Sequence, residues 1–145
     1  MISDANGIPL VIAIGPANQR DEKLVEPMLK RMPMLPDGKG KRRKKPKAVQ
    51  GDRGYGFKYV IQMLIRMMIV SLLAPRGNRT NPTKHGSGLG KTRYVIERTM
   101  AWLSTNRRLK LCYERNGEHF RAFHVLAACV ICANRLRPKR RRRRL

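Results

Sequence analysis

The chain has 145 residues, room for one domain and one core, and 41% of them are hydrophobic, an ordinary globular share. With 33 Lys and Arg against 9 Asp and Glu, the formal net charge is +24. Such a chain repels itself unless a polyanion neutralises it, which favours nucleic acid as a partner over a membrane surface. Its longest apolar stretches, Met67 to Ala74 and Ala122 to Ala133, fall short of the ~20 residues that span a bilayer. Asp4 stands where a secretory signal would be basic. Three cysteines form no disulfide framework and point to a reducing cytoplasm.

In chain order, Asn6-Gly7 between Ile2 and Ile8 signals a two-residue hairpin turn. Residues 8–14 read as a strand buried on both faces, stopped by Gly15-Pro16. From Asp21 to Lys30, the positions Leu24, Val25, Met28 and Leu29 keep helical spacing, with acids in the first turn where the dipole favours them. Pro33 and Pro36 end that helix, and a flexible basic loop over 38–47 follows. Residues 48–52 are a short strand candidate, broken by Arg53-Gly54. Phe57, Val60, Ile61, Leu64, Ile65 and Met68 trace an amphipathic helix. A buried strand over 69–74 and a Gly-rich loop over 75–92 come next. Then a helix is expected from about Arg93 to Asn106, a short strand near 109–113, and a last helix. That helix carries Phe120, Phe123, His124, Ala127, Ala128 and Ile131 on one face. The order β-β-α-β-α-β-α-α is an α/β layered pattern.

The charge is unevenly spread. Residues 1–37 carry a net −1, whereas 38–47 (GKGKRRKKPK) hold seven basic side chains and 138–145 (PKRRRRRL) six, with no acid in either run. A solvated linker and tail explain such runs without function, although both would bind phosphate in a salt-dependent way. The few acids of the basic part are more informative. From 48 to 145 there are only Asp52, Glu97, Glu114 and Glu118, and phosphate repels an acid unless a cation lies between them.

Several motifs have a plain explanation. The loop HGSGLGKT (His85–Thr92) lacks the first Gly of a phosphate loop and has no strand before it, so a nucleotide site is rejected. Cys129-x2-Cys132 has no second pair and reads as core cysteines rather than zinc ligands. His124, Trp102 and Tyr94 also read as core. Asp52 and Glu97 remain. Asp52 ends a strand, where a carboxylate projects towards a ligand crevice, and Glu97 has Arg93 one turn before it. An exposed i,i+4 ion pair accounts for the latter. Isolated carboxylates in a basic field equally suit phosphoryl transfer by divalent metals, with Mg²⁺ preferring oxygen ligands.

GDRGYGF (Gly51–Phe57) and GSGLGKTRYVIERTMAWL (Gly86–Leu103) closely resemble the DDE transposases of bacterial insertion sequences, in the branch around insertion sequences four and five. NGIPLVIAIGPANQRDEKLVEPML (Asn6–Leu29) is similar to that family's segment between the first and second catalytic acids, and RRLKLCYERNGEHFRAF (Arg107–Phe123) also fits. The resemblance implies a ribonuclease-H-like mixed sheet flanked by helices, here lacking its first strand. It also implies metal-dependent DNA cleavage and strand transfer with Mg²⁺ or Mn²⁺ at a two-metal site. By position, Asp52 matches the second acid of the triad, Glu97 the third, and Arg93 the arginine of R-x3-E. The wider pattern has Tyr before that arginine and Lys after the glutamate, where Gly90 and Ser104 stand here. The family's first Asp lies upstream of anything present, and Asp4 is not that residue.

The expectation is therefore a partial catalytic domain over 1–137 and a basic tail over 138–145, from a truncated or split-frame product. Alone it should be inactive, its metal site incomplete. DNA contacts are expected from Lys91, Arg93, Arg98, Arg107, Arg108, Lys41, Arg42, Arg43, Arg140 and Arg141. The full-length transposase or an upstream-frame polypeptide is a further partner, in the bacterial cytoplasm at the nucleoid. The competing reading is a non-catalytic basic nucleic-acid-binding protein, a regulator or remnant of the transposase.

Overall fold

The computed structural model describes residues 1–37, 40–76 and 89–136, without the side chains of Leu89 and Lys91. Among these residues three two-stranded sheets lie with five α-helices in a mixed α/β arrangement. Strands β1 (Ile2–Ser3) and β2 (Pro9–Val11) are antiparallel. The turn is longer than two residues. The Asp4 amide donates to Ile8 O (2.9 Å) and the Gly7 amide to Asp4 O (3.1 Å), with Gly7 at φ +82°, the geometry of a three-residue loop ending in a left-handed glycine. Asp4 Oδ1 accepts the amides of Asn6 and Ile8, so that carboxylate serves the turn. β2 is also shorter than the expected 8–14, because its one ladder partner among the described residues is the two-residue β1.

A 3-10 turn (Asp21–Leu24) runs into α1 (Val25–Lys30), which buries Val25, Met28 and Leu29. The basic run is not wholly a loop. β3 (Leu35–Pro36) pairs antiparallel with β4 (Arg42–Arg43), and Asp37 closes the hairpin through its amide to Lys41 O (2.8 Å) and an ion pair to Arg43 (3.0 Å). One acid is enough to fold charges that would otherwise repel.

Strand β5 (Ala48–Gln50), helix α2 (Lys58–Arg66) and strand β6 (Val70–Leu72) form a βαβ unit with β5 and β6 parallel. α2 buries Val60 and Leu64 completely, as its spacing predicts. It ends in a Schellman motif: the Ile69 amide donates to Leu64 O (2.9 Å) and Met68's to Ile65 O (2.8 Å). Met68 holds the left-handed position at φ 57° where glycine is usual.

α3 (Leu89–Ser104) starts earlier than Arg93. The expected strand near 109–113 is instead a helix, α4 (Arg107–Leu111). Among the described residues no strand lies alongside to complete a ladder, and helical bonds satisfy that backbone. α5 (Gly117–Leu136) follows. Val11, Val25, Met28, Leu29, Met32, Val60, Leu64, Ile69 and Leu73 form the main core, while Leu103, Ala127 and Ile131 form a smaller one among the C-terminal helices.

Candidate active site

Parallel β5 and β6 put their carboxyl ends on the same side, where ligands of α/β sheets bind. Asp52 stands two residues past the end of β5, exposed, capping a 3-10 turn (Arg53–Tyr55) by accepting the Gly54 amide at 2.8 Å. The glycines of GDRGYGF have a steric cause. A Cβ on Gly56 would sit 1.8 Å from Ala74 O, so only glycine lets this loop close against the chain leaving β6.

α3 docks on the same strand: Thr92 Oγ1 donates to Gln50 Oε1 at 2.7 Å. Further along, Thr99 Oγ1 donates to Gly7 O (2.7 Å) and Arg98 to Asn6 O (2.8 Å), pinning the helix to the N-terminal hairpin. Val95 and Thr99 face inward. Glu97, two residues from each, points away from that face. It is 59% exposed and ion-paired to Arg93 at 2.7 Å.

The fold thus brings the Asp52 loop and the Glu97 helix to one strand, but each carboxylate takes a local partner. Among the described residues no group of three or more His, Cys, Asp or Glu side chains could hold a metal ion. The two carboxylates are the right kind of donor for Mg²⁺.

A third acid escaped the sequence reading. Tyr55, half-buried, has its phenol pKa raised first by burial and then by the negative charges of Asp21, Asp52 and Glu22. Asp21 and Asp52 therefore act on one ring. The spacing of Asp21 fits the first-turn acid of a helix, and nothing in it signals this neighbourhood.

The expected DNA contacts divide. Lys41, Arg42 and Arg107 are exposed, as is Arg93, which is paired with Glu97. Arg43 is paired with Asp37, and Arg108 with Glu114 at 3.4 Å. Arg98 is engaged structurally, bonded to Asn6 and lying over the rings of Tyr94 and Trp102. The Lys91 side chain, Arg140 and Arg141, with the tail and most of the Gly-rich loop, lie outside the described residues. Two core assignments fail: Tyr94 is 60% exposed, and Cys129 is an exposed, free thiol. Among the described residues no other element covers Tyr94 on α3 or Cys129 on α5. His124 is part-buried, its Nδ1 2.9 Å from Phe120 O, and Trp102 packs on the smaller core. No helix among the described residues is long and apolar enough to cross a membrane.

Mixed α/β elements on so basic a chain carry the electrostatic footprint of nucleic-acid-binding proteins. Residues 1–133 match the family described as Transposase DDE domain, and the chain belongs to that family. It is 38% identical over 137 residues to a Burkholderia cepacia protein described as a transposase for insertion sequence element IS402. The match takes in 94% of this chain but only 63% of that relative's length. No solved structure matches the chain.

Proposed function

We propose that the chain is the part of an insertion-sequence transposase that supplies the second and third carboxylates, Asp52 and Glu97, for DNA cleavage and strand transfer. The observation that carries this is the docking of α3 on β5: a strand-end Asp and a helical Arg-x3-Glu meet one strand, in the family's order. The fold is then ribonuclease-H-like, and the first acid comes from polypeptide beyond these 145 residues, in a longer form or a separate product. Binding that segment and DNA must turn Glu97 from Arg93 towards Asp52. The exposed i,i+4 pair is worth only about 0.3–0.5 kcal/mol and resists little.

The test is cleavage of DNA bearing the element's ends, with Mg²⁺ or Mn²⁺, by the chain with and without an upstream polypeptide carrying the first Asp. Cleavage should need that polypeptide and vanish with Asp52→Asn or Glu97→Gln. Cleavage that survives both substitutions overturns the assignment. Salt-sensitive DNA binding with no cleavage in the reconstituted mixture favours the regulator reading.

A further inference from the structure

The loop that carries Asp52 has a second feature, independent of the carboxylates. Phe57, the residue before α2, has two guanidinium groups over its ring: Arg20 at 4.7 Å and Arg76 at 4.6 Å from the centroid. Both are held there. Arg20 is ion-paired at 2.7 Å to Glu22, whose side chain is only 7% exposed, and Glu22 also accepts a hydrogen bond from Tyr59. The Arg76 main chain is fixed by its amide, which donates to Gly56 O at 2.8 Å, the close approach that glycine permits there, and its guanidinium reaches the ring from that anchor. These residues come from three places: the entry to the Asp21–Leu24 turn, the loop after β5 and the exit of β6. All three meet at the carboxyl ends of the parallel strands.

Stacking uses the flat face of a guanidinium and leaves its in-plane N–H donors free for a planar or tetrahedral anion. Arg76 is exposed and makes no ion pair among the described residues. Of the two cations on the ring, only Arg20 is offset, by Glu22. Asp21 and Asp52, close by, would repel a phosphate, so a DNA strand needs fixed cations to pass here. The geometry points to Arg76, seconded by Arg20 on the Phe57 ring, as a clamp for the backbone phosphates of a DNA strand running past Asp52. This deepens the proposed function by locating the substrate's backbone, yet it concerns binding alone. Failure of the cleavage test would leave it standing, and its own failure would leave the carboxylate assignment untouched.

The experiment is equilibrium binding of the chain to duplex DNA between 50 and 200 mM salt, followed by fluorescence anisotropy. Arg76→Gln should lower affinity roughly tenfold at low salt, the worth of one charge-assisted hydrogen-bonded contact. It should also flatten the slope of log affinity against log salt by about 0.9, one phosphate's share. Arg76→Lys keeps the charge but not the planar fork, so the slope should stay while affinity still falls several-fold. Phe57→Leu should behave like Arg76→Lys. Arg66→Gln, at the far end of α2, should leave the slope unchanged. Far-UV circular dichroism checks that each variant folds. If Arg76→Gln does not fold, Arg76→Lys and Phe57→Leu still decide. An unchanged slope in Arg76→Gln, wild-type affinity in Arg76→Lys, or an equal loss in Arg66→Gln overturns the clamp.

Discussion

Residues 1–76 and the helices α3 to α5 are packed to different standards. The first region closes nine buried side chains into one core around fully buried Val60 and Leu64, whereas the second gathers three into a cluster of its own, with Val95 and Thr99 of α3 also buried. α5 shows why. Ala127 and Ile131 face inward, yet Leu126 and Val130, about 100° around the helix, are 60% and 59% exposed, so the apolar surface of α5 is wider than the part the described residues cover. α3, which carries Glu97, is held to the first region largely by polar links at Thr92, Arg98 and Thr99. The two candidate acids thus sit on supports of unequal stiffness: Asp52 on a βαβ unit with a core beneath it, Glu97 on a helix tied mainly by side-chain hydrogen bonds. Elements that must rearrange on binding come from the less stable end of a structure.

The largest effect expected from this contrast is in the core. Leu64→Ala should cost about 3–5 kcal/mol in urea unfolding, the upper part of the range for a buried leucine, because α1, α2 and β6 cannot collapse into the gap. Leu103→Ala should cost about 2 kcal/mol, since the thin C-terminal layer can close over its cavity. Equal costs would erase the distinction between the regions. Next is Thr99→Val, which keeps the shape but leaves the buried Gly7 carbonyl without its donor, for about 1–3 kcal/mol. Hydrogen exchange should speed up in α3 and the N-terminal turn together while α2 stays protected. Exchange confined to α3 would mean the hairpin does not hold it.

A smaller change runs the other way. Met68→Gly removes the left-handed strain at the end of α2 and should stabilise by up to about 1 kcal/mol, measured as a shift in the urea midpoint. Loss of stability would mean that Met68 makes contacts worth more than its strain. The smallest effect concerns Tyr55, whose folded pKa lies above the ordinary 10.0. The native state then holds the proton longer than the unfolded chain, so this contribution is intact below pH 10 and lost as pH rises through the folded value. Asp52→Asn removes one of the causes and should lower the Tyr55 titration read at 295 nm, with Tyr55→Phe as the blank. An unmoved titration would place Asp52 farther from the ring.

Where periodicity was long, the sequence was easily read. α2 follows from six apolar positions at helical spacing, whereas β5 ends at Gln50, two residues short of the expected 48–52. Short elements were less legible. The expected strand over 109–113 has too few residues for any period to separate helix from strand. The basic hairpin depends on one acid, Asp37, against a run of like charges. The break between α2 and β6 was blurred because methionine occupies the place where glycine would announce a helix end. Tyr94 and Cys129 show a general limit: spacing tells which residues share a face, but not whether anything covers it. Of the site, Asp52 and Glu97 stood out through their scarcity in a basic stretch and through the family motifs. Asp21 was hidden by a sufficient local explanation, and the Arg20–Phe57–Arg76 stack joins residues too distant in sequence to form a motif.

The central claim is that Asp52 and Glu97 come together on one metal site once the first acid and DNA are present. The direct measurement replaces Mg²⁺ by Fe²⁺ in the reconstituted complex of chain, upstream polypeptide and DNA, adds ascorbate and peroxide, and maps where locally generated radicals cut the polypeptide. Cuts clustered next to Asp52 and next to Glu97, lost at both places in either Asp52→Asn or Glu97→Gln, are the expected result. Cuts beside Asp52 alone, or in a pattern indifferent to Glu97→Gln, would contradict it.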